Sequence, residues 1–192
     1  MTGPPGGGVV KDVLFAFAVL LVAGALACQR PAKGRSEADA ERDPVTDLVR
    51  EGMESDQEGD YALAVKLYTR ALSHSPGADR IHHARALSYL KWKKFDQAIE
   101  DASAAIRLSP DNARHHGLRA AIRFAMNDYP GTVSDMTNAI RLGTDLPPDI
   151  LAEFHYTRGL ARETLGKTKW AEADYQAARK YDPDGRQDHR NR

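Results

Sequence analysis

Ala71-Leu72-Ser73-His74-Ser75-Pro76 recurs as Ala105-Ile106-Arg107-Leu108-Ser109-Pro110. After an equal interval the phrase returns as Ala139-Ile140-Arg141-Leu142-Gly143-Thr144, with Thr in place of Pro. It returns once more, after a slightly longer interval, as Ala178-Arg179-Lys180-Tyr181-Asp182-Pro183. The extra length of that last interval falls in the connector around Pro147-Pro148. A constant period within the range of roughly 20–50 residues marks small supersecondary units, each of which buries its apolar face only by stacking on its neighbours. The units read 45–78, 79–112, 113–146 and 152–185.

Each unit has the composition of two antiparallel helices. Helices that cross at about 8–10 Å need small side chains at the crossing. Gly52, Ala86, Ala120 and Gly159 supply them on the first helices. Ala64, Ala98, Thr132 and Ala171, then Ala71, Ala105, Ala139 and Ala178, supply them on the second. Tyr61, Phe95 and Tyr129 open second helices as wedges, and Tyr68 and Tyr175 sit midway along theirs. Ala102 and Met136 take the mid-helix place in the middle units, a departure that predicts looser packing there. Pro130 falls in a first helical turn, where its missing N–H costs little. The period and these small-residue places resemble the tetratricopeptide repeat. The resemblance implies an all-α, right-handed superhelical solenoid of about four helical hairpins whose first helices line a concave groove.

At matching phases the groove residues are Thr46, Val49, Met53, Arg80, His83, Leu87, Leu90, Arg114, Leu118, Phe124, Tyr156 and Leu160. Apolar anchors among basic groups suit a protein or peptide segment with an acidic residue near Arg80 and Arg114. Family members that grip chaperone tails use a clamp of Lys, Asn and Arg. Here Val49, Met53, Ala84 and Leu118 occupy most of those places, which argues against a chaperone-tail receptor. Arg85 and Asp101, Arg119 and Asp135, and Arg158 and Asp174 repeat one and the same separation along the chain. That spacing predicts an interhelical ion pair inside each of the last three units, serving register more than net stability. In the last unit Arg179 replaces Leu72, Ile106 and Ile140, and Glu172 replaces Val65, Ile99 and Val133. A terminal repeat needs such a polar outer face, so four units complete the array.

The chain of 192 residues opens differently. Val13–Ala27 (VLFAFAVLLVAGALA) is 15 apolar residues, shorter than the roughly 20 a spanning helix needs. It suits the apolar core of an export signal over residues 1–27, ending in Ala25-Leu26-Ala27 before Cys28. This resembles the lipobox of bacterial lipoproteins, in which the Cys is acylated after cleavage; Ala25 stands where the family usually has Leu. The resemblance implies a lipid-anchored protein of the bacterial envelope. Gln29, in place of the Asp associated with inner-membrane retention, leans towards the outer membrane. An uncleaved anchor and a secreted chain starting at Cys28 are the alternatives. Residues 28–44 read as a flexible linker with mixed charges and no apolar cluster, and 186–192 as a frayed tail.

Composition excludes other classes. Lys+Arg and Asp+Glu are both 27, so the excess positive charge of a nucleic-acid surface is missing. One cysteine permits neither an intrachain disulfide nor a Cys-rich zinc site. Ala161–Thr168 (ARETLGKT) satisfies only a relaxed phosphate-loop pattern, without the preceding strand and flexible loop that the chemistry needs. His82, His116 and His155 recur in one slot of successive units and read as aromatic-sized packing residues, not metal ligands. No catalytic signature, cofactor site or metal site is expected.

Overall fold

The computed structural model describes residues 43–183. The export-signal, Cys28 and linker readings before residue 43, and the tail after 183, lie outside the described residues. Eight helices and no strand occur among the described residues. They are α1 (Pro44–Glu58), α2 (Tyr61–His74), α3 (Asp79–Lys91), α4 (Phe95–Leu108), α5 (Ala113–Ala125), α6 (Tyr129–Leu142), α7 (Pro148–Thr164) and α8 (Thr168–Tyr181). They form four antiparallel hairpins in two units, residues 43–109 and 110–183. The fold is all-α and built from repeated hairpins.

The helices start where short polar side chains can satisfy free N–H groups. Asp43 accepts from Val45 N at 3.1 Å, Asp60 from Leu63 N at 2.9 Å, Asn112 from Arg114 N at 3.1 Å and Asp128 from Gly131 N at 2.9 Å. Pro44, read from sequence as the end of the linker, is the first residue of α1. Pro148 likewise opens α7, so the insertion in the fourth unit is partly an extra helical turn rather than all connector. Proline at the first helical position lacks only an N–H that would be free in any case.

All four hairpins turn in one way. Gly59, Lys93, Asn127 and Gly166 adopt left-handed backbone, with φ of 84°, 61°, 62° and 73°. The next residue's N–H returns to the helix: Asp60 N to Ser55 O, Lys94 N to Tyr89 O, Asp128 N to Arg123 O and Lys167 N to Arg162 O, at 2.8–2.9 Å. This closes the free carbonyls of the last turn.

In the first unit the core is Leu48, Ala64, Tyr68, Ala71, Leu72 and Ile81, with Val45, Val49, Met53 and Leu67 packed against it. A Cβ on Gly52 would stand 2.7 Å from the Tyr68 ring, and one on Gly159 would stand 2.6 Å from the Tyr175 ring. Glycine on the first helix therefore goes with tyrosine on the second. Where the first helix has Ala86 or Ala120, the second has Ala102 or Met136, and all four are fully buried. At Ala102 and Met136 the facing residue is larger by one methyl group, which offsets part of the ring that is missing from the mid-helix place.

Candidate protein-binding surface

The three arginine–aspartate pairs come together. Arg85 donates from Nε and Nη2 to the two oxygens of Asp101, both at 2.7 Å. Arg119 does the same to Asp135 at 2.8 and 2.7 Å. Arg158 reaches Asp174 at 2.6–3.1 Å. Paired donors in the guanidinium plane match a carboxylate edge and fix the rotation of one helix on the other. The first unit's first hairpin has no equivalent; Arg50 instead pairs along the surface of α1 with Asp47 and Glu54.

Sequence spacing missed three elaborations. A second arginine, one turn on, clamps the same carboxylate: Arg123 Nη1 donates to Asp135 at 2.9 Å and Arg162 Nη1 to Asp174 at 2.8 Å. The i,i+4 spacing of Arg119–Arg123 and Arg158–Arg162 was the available signal. Arginines also cross between hairpins, with Arg85 donating to Thr69 Oγ1 at 2.9 Å and Arg158 to Thr137 Oγ1 at 3.3 Å. The recurrent histidines join these networks and are more than packing residues. His82 Nδ1 lies 3.0 Å from Asp101 and its Nε2 3.2 Å from Pro76 O, while His116 Nε2 lies 2.9 Å from Pro110 O. His155 Nδ1 stands 3.5 Å from Asp174 and the ring stacks on Tyr181.

Burial alone would raise Asp174, but His155, Arg158 and Arg162 outweigh it and hold the carboxyl below its ordinary range. The hydrogen bonds to Asp101 and Asp135 hold Arg85 and Arg119 above theirs. In the first unit Lys91 of α3 forms an ion pair with Asp56 of α1, joining the hairpins there.

The expected groove is corrected at six positions. Leu87, Leu90, Leu118, Phe124, Tyr156 and Leu160 are buried, Leu118 completely. Phe124 lies edge-on against Tyr129 of its own hairpin, with ring centres 5.5 Å apart, and Tyr156 lies 5.6 Å from Tyr175. Their phases were right for the first helices, but large rings there turn into the hairpin, where burial is favourable. In the first unit Arg80 is exposed and His83 half-buried; in the second Arg114 is half-buried. These three remain as surface a partner can reach.

Glu153 of α7 was not anticipated. It occupies the repeat slot of Thr46, Arg80 and Arg114, yet is only 5% exposed. No described residue hydrogen-bonds its Oε1. Burial, with a smaller push from Asp149, raises its carboxyl from 4.5 to about 8. Next to it Phe154 packs where a Cβ on Gly117 of α5 would meet the ring at 2.6 Å.

Comparison with known proteins fits this geometry. Residues 57–130 match the model of the tetratricopeptide repeat. That stretch, and the hairpins in fold, are similar to tetratricopeptide repeats. Hsc70-interacting protein 1 of Drosophila melanogaster is 33% identical over 86 residues, 45% of this chain and 23% of that protein. The chain thus matches about a quarter of that relative's length. A crystal structure of MamA superposes with a TM-score of 0.66 at 19% identity, over 73% of this chain and 74% of that one. The first tetratricopeptide domain of Spaghetti (RPAP3), bound to the HSP90 peptide SRMEEVD, superposes with a TM-score of 0.58 at 22% identity, over 64% and 94%. The family whose model matches residues 57–130 is a protein-binding repeat.

Proposed function

We propose that this chain is a non-catalytic interaction module, tethered to a bacterial envelope membrane, that holds a partner protein through the inner faces of its first helices. The observation that carries the reading is Arg80, exposed in the first unit, and Arg114, half-buried at the same repeat slot of the second, while Leu87, Leu90, Leu118 and Tyr156 of the first helices are buried. In the first unit an exposed cation one helical turn from His83 favours an acid-bearing segment. The relatives support the class of function: one is named for interacting with Hsc70, and one neighbour was solved with an HSP90 peptide. Val49, Met53, Ala84 and Leu118 at the clamp places speak for a different ligand. A labelled SRMEEVD peptide is therefore expected to bind weaker than about 1 mM, a free energy of only about −4 kcal/mol.

Arg80→Glu with Arg114→Glu is expected to weaken capture of partners from detergent-solubilised envelope at least about tenfold, or 1.4 kcal/mol, without changing helicity or Tm. Undiminished capture by the folded double variant overturns the inner-face reading. The membrane tether rests on Val13–Ala27 followed by Cys28. Cys28→Ser is expected to release the chain from the membrane fraction. A variant that stays membrane-bound favours an uncleaved anchor, and a wild-type chain already soluble favours secretion.

A further inference from the structure

Both ring nitrogens of His82 face an acceptor. Nδ1 lies 3.0 Å from an oxygen of Asp101 on α4, and Nε2 lies 3.2 Å from the Pro76 carbonyl oxygen in the connector between α2 and α3. A neutral imidazole has one N–H and one lone pair; only the imidazolium donates from both nitrogens. The neutral ring can therefore keep one of these contacts and not both. Asp101 carries the charge, so a single proton stays on Nδ1. Nε2 then turns a lone pair towards the Pro76 oxygen, and that contact becomes repulsive. The ring is half-buried, so it exchanges protons with water.

The counterpart in the second unit is built differently. His116 Nε2 lies 2.9 Å from the Pro110 carbonyl oxygen, and no described residue hydrogen-bonds its Nδ1. One proton, on Nε2, serves that contact in full. The difference follows from the arginines. Asp135 is occupied by Arg119 and Arg123, whereas Tyr89 stands at the place of Arg123 in the first unit. Asp101 thus takes its second donor from His82, the ring that also reaches the connector. The charged and titratable groups at this joint are Asp101 from α4, and Arg85 and Tyr89 from the histidine's own helix. From α2 comes Thr69, which is uncharged.

We propose that His82 is a proton-operated strap between α4 and the α2–α3 connector, closed when the ring carries two protons and open at the connector end when it carries one. In the closed form one imidazolium ties Asp101 to the Pro76 carbonyl. A contact made by the protonated form alone is present in acid. It is lost as pH rises through the range of about 5 to 8 in which imidazole changes charge. Arg80 lies in the first turn of α3, just before His82, so opening the strap frees the turn that carries it. Only this last consequence rests on the proposed partner-binding role; the strap itself does not.

Nuclear magnetic resonance on the full 192-residue chain in detergent micelles tests the strap. Two signals report it: the ring nitrogens of His82, and hydrogen exchange at the Ala78 amide, which closes the connector turn on Ser75 O at 3.2 Å. At about pH 5.5 both ring nitrogens are expected to carry a proton, and at about pH 8 only Nδ1. Ala78 protection, corrected for the intrinsic effect of pH on exchange, is expected to be at least about fivefold greater at the lower pH. The connector at 110–112, held by His116, is expected to show no such change. His82→Phe keeps a ring of similar size and is expected to abolish the response. His82→Gln, whose amide donates at every pH, is expected to keep Ala78 protected at both. A lone proton on Nε2 at about pH 8 overturns the proposal. So does wild-type Ala78 protection that is equal at the two pH values. A response that survives in both variants belongs to another group and overturns it as well. None of these results decides the partner-binding reading, which stands or falls with Arg80→Glu/Arg114→Glu.

Discussion

The two units use one repeat for different ends. In residues 43–109 each of these carboxylates is held by one Lys or Arg: Asp56 by Lys91, which joins the two hairpins, and Asp101 by Arg85, with His82 beside it, inside the second hairpin. In residues 110–183 each carboxylate is clamped by two arginines, Asp135 by Arg119 and Arg123, and Asp174 by Arg158 and Arg162. At one repeat slot the first unit exposes Arg80, while the second has a half-buried Arg114 and a buried Glu153. A repeat can therefore hold its backbone constant while the polar joints and the inner surface change. The joints are set by residues one turn apart, the surface by which way a few large side chains turn.

The largest expected effect breaks the double clamp. Asp135→Ala or Asp174→Ala leaves two guanidinium groups without their buried partner and is expected to lose about 3–5 kcal/mol in urea unfolding. Arg119→Ala should lose less than Arg85→Ala, because Arg123 still holds Asp135, whereas Asp101 keeps only His82. Equal losses in the two units would erase the distinction between single and double joints. Acid sharpens it: Asp174 is held below its ordinary range, so its contribution is present above the unfolded value and is lost as pH falls through the folded one.

Glu153 works in the opposite direction. The folded chain holds a proton that the unfolded chain releases, so stability falls as pH rises from about 4.5 to about 8. Glu153→Met is expected to be more stable than wild type by about 2–4 kcal/mol above that range, with the gain shrinking towards acid pH. Thermal unfolding across pH measures this, and a pH-independent difference between the two chains would show that Glu153 is not dry.

A smaller effect probes the glycine–tyrosine match. Gly159→Ala is expected to lose about 1–3 kcal/mol by crowding Tyr175, and Tyr175→Met in the same chain should recover part of it, as the pairing of Ala120 with Met136 suggests. The smallest concerns the turns. Lys93→Gly is expected to gain about 0.5–1 kcal/mol by removing a left-handed non-glycine residue, and Asn127→Gly less, since asparagine tolerates that backbone better. No gain at Lys93 would mean that its side chain supports the turn.

The repeat period, the hairpin count, the crossing residues and the Arg–Asp spacing were all legible, because each depends on a residue recurring at a constant distance along the chain. The turn residues Gly59, Lys93, Asn127 and Gly166 obey the same intervals as the opening phrase, but their identities hide it, since only two are glycine. The six apolar groove residues were misread for a different reason. Helical phase gives the direction of a Cβ, and a ring such as Phe124 or Tyr156 then chooses its rotamer by the neighbour it meets.

By itself, then, the sequence determined that this protein is an all-α array of four hairpins with interhelical ion pairs, because period and phase are properties of the chain alone. Only the tertiary structure decided that a second arginine completes two of the joints, that histidines reach the connector carbonyls, and that Glu153 lies dry while Arg80 stays in water. Those outcomes depend on which side chains from distant stretches arrive at one place, and on the water their arrival excludes.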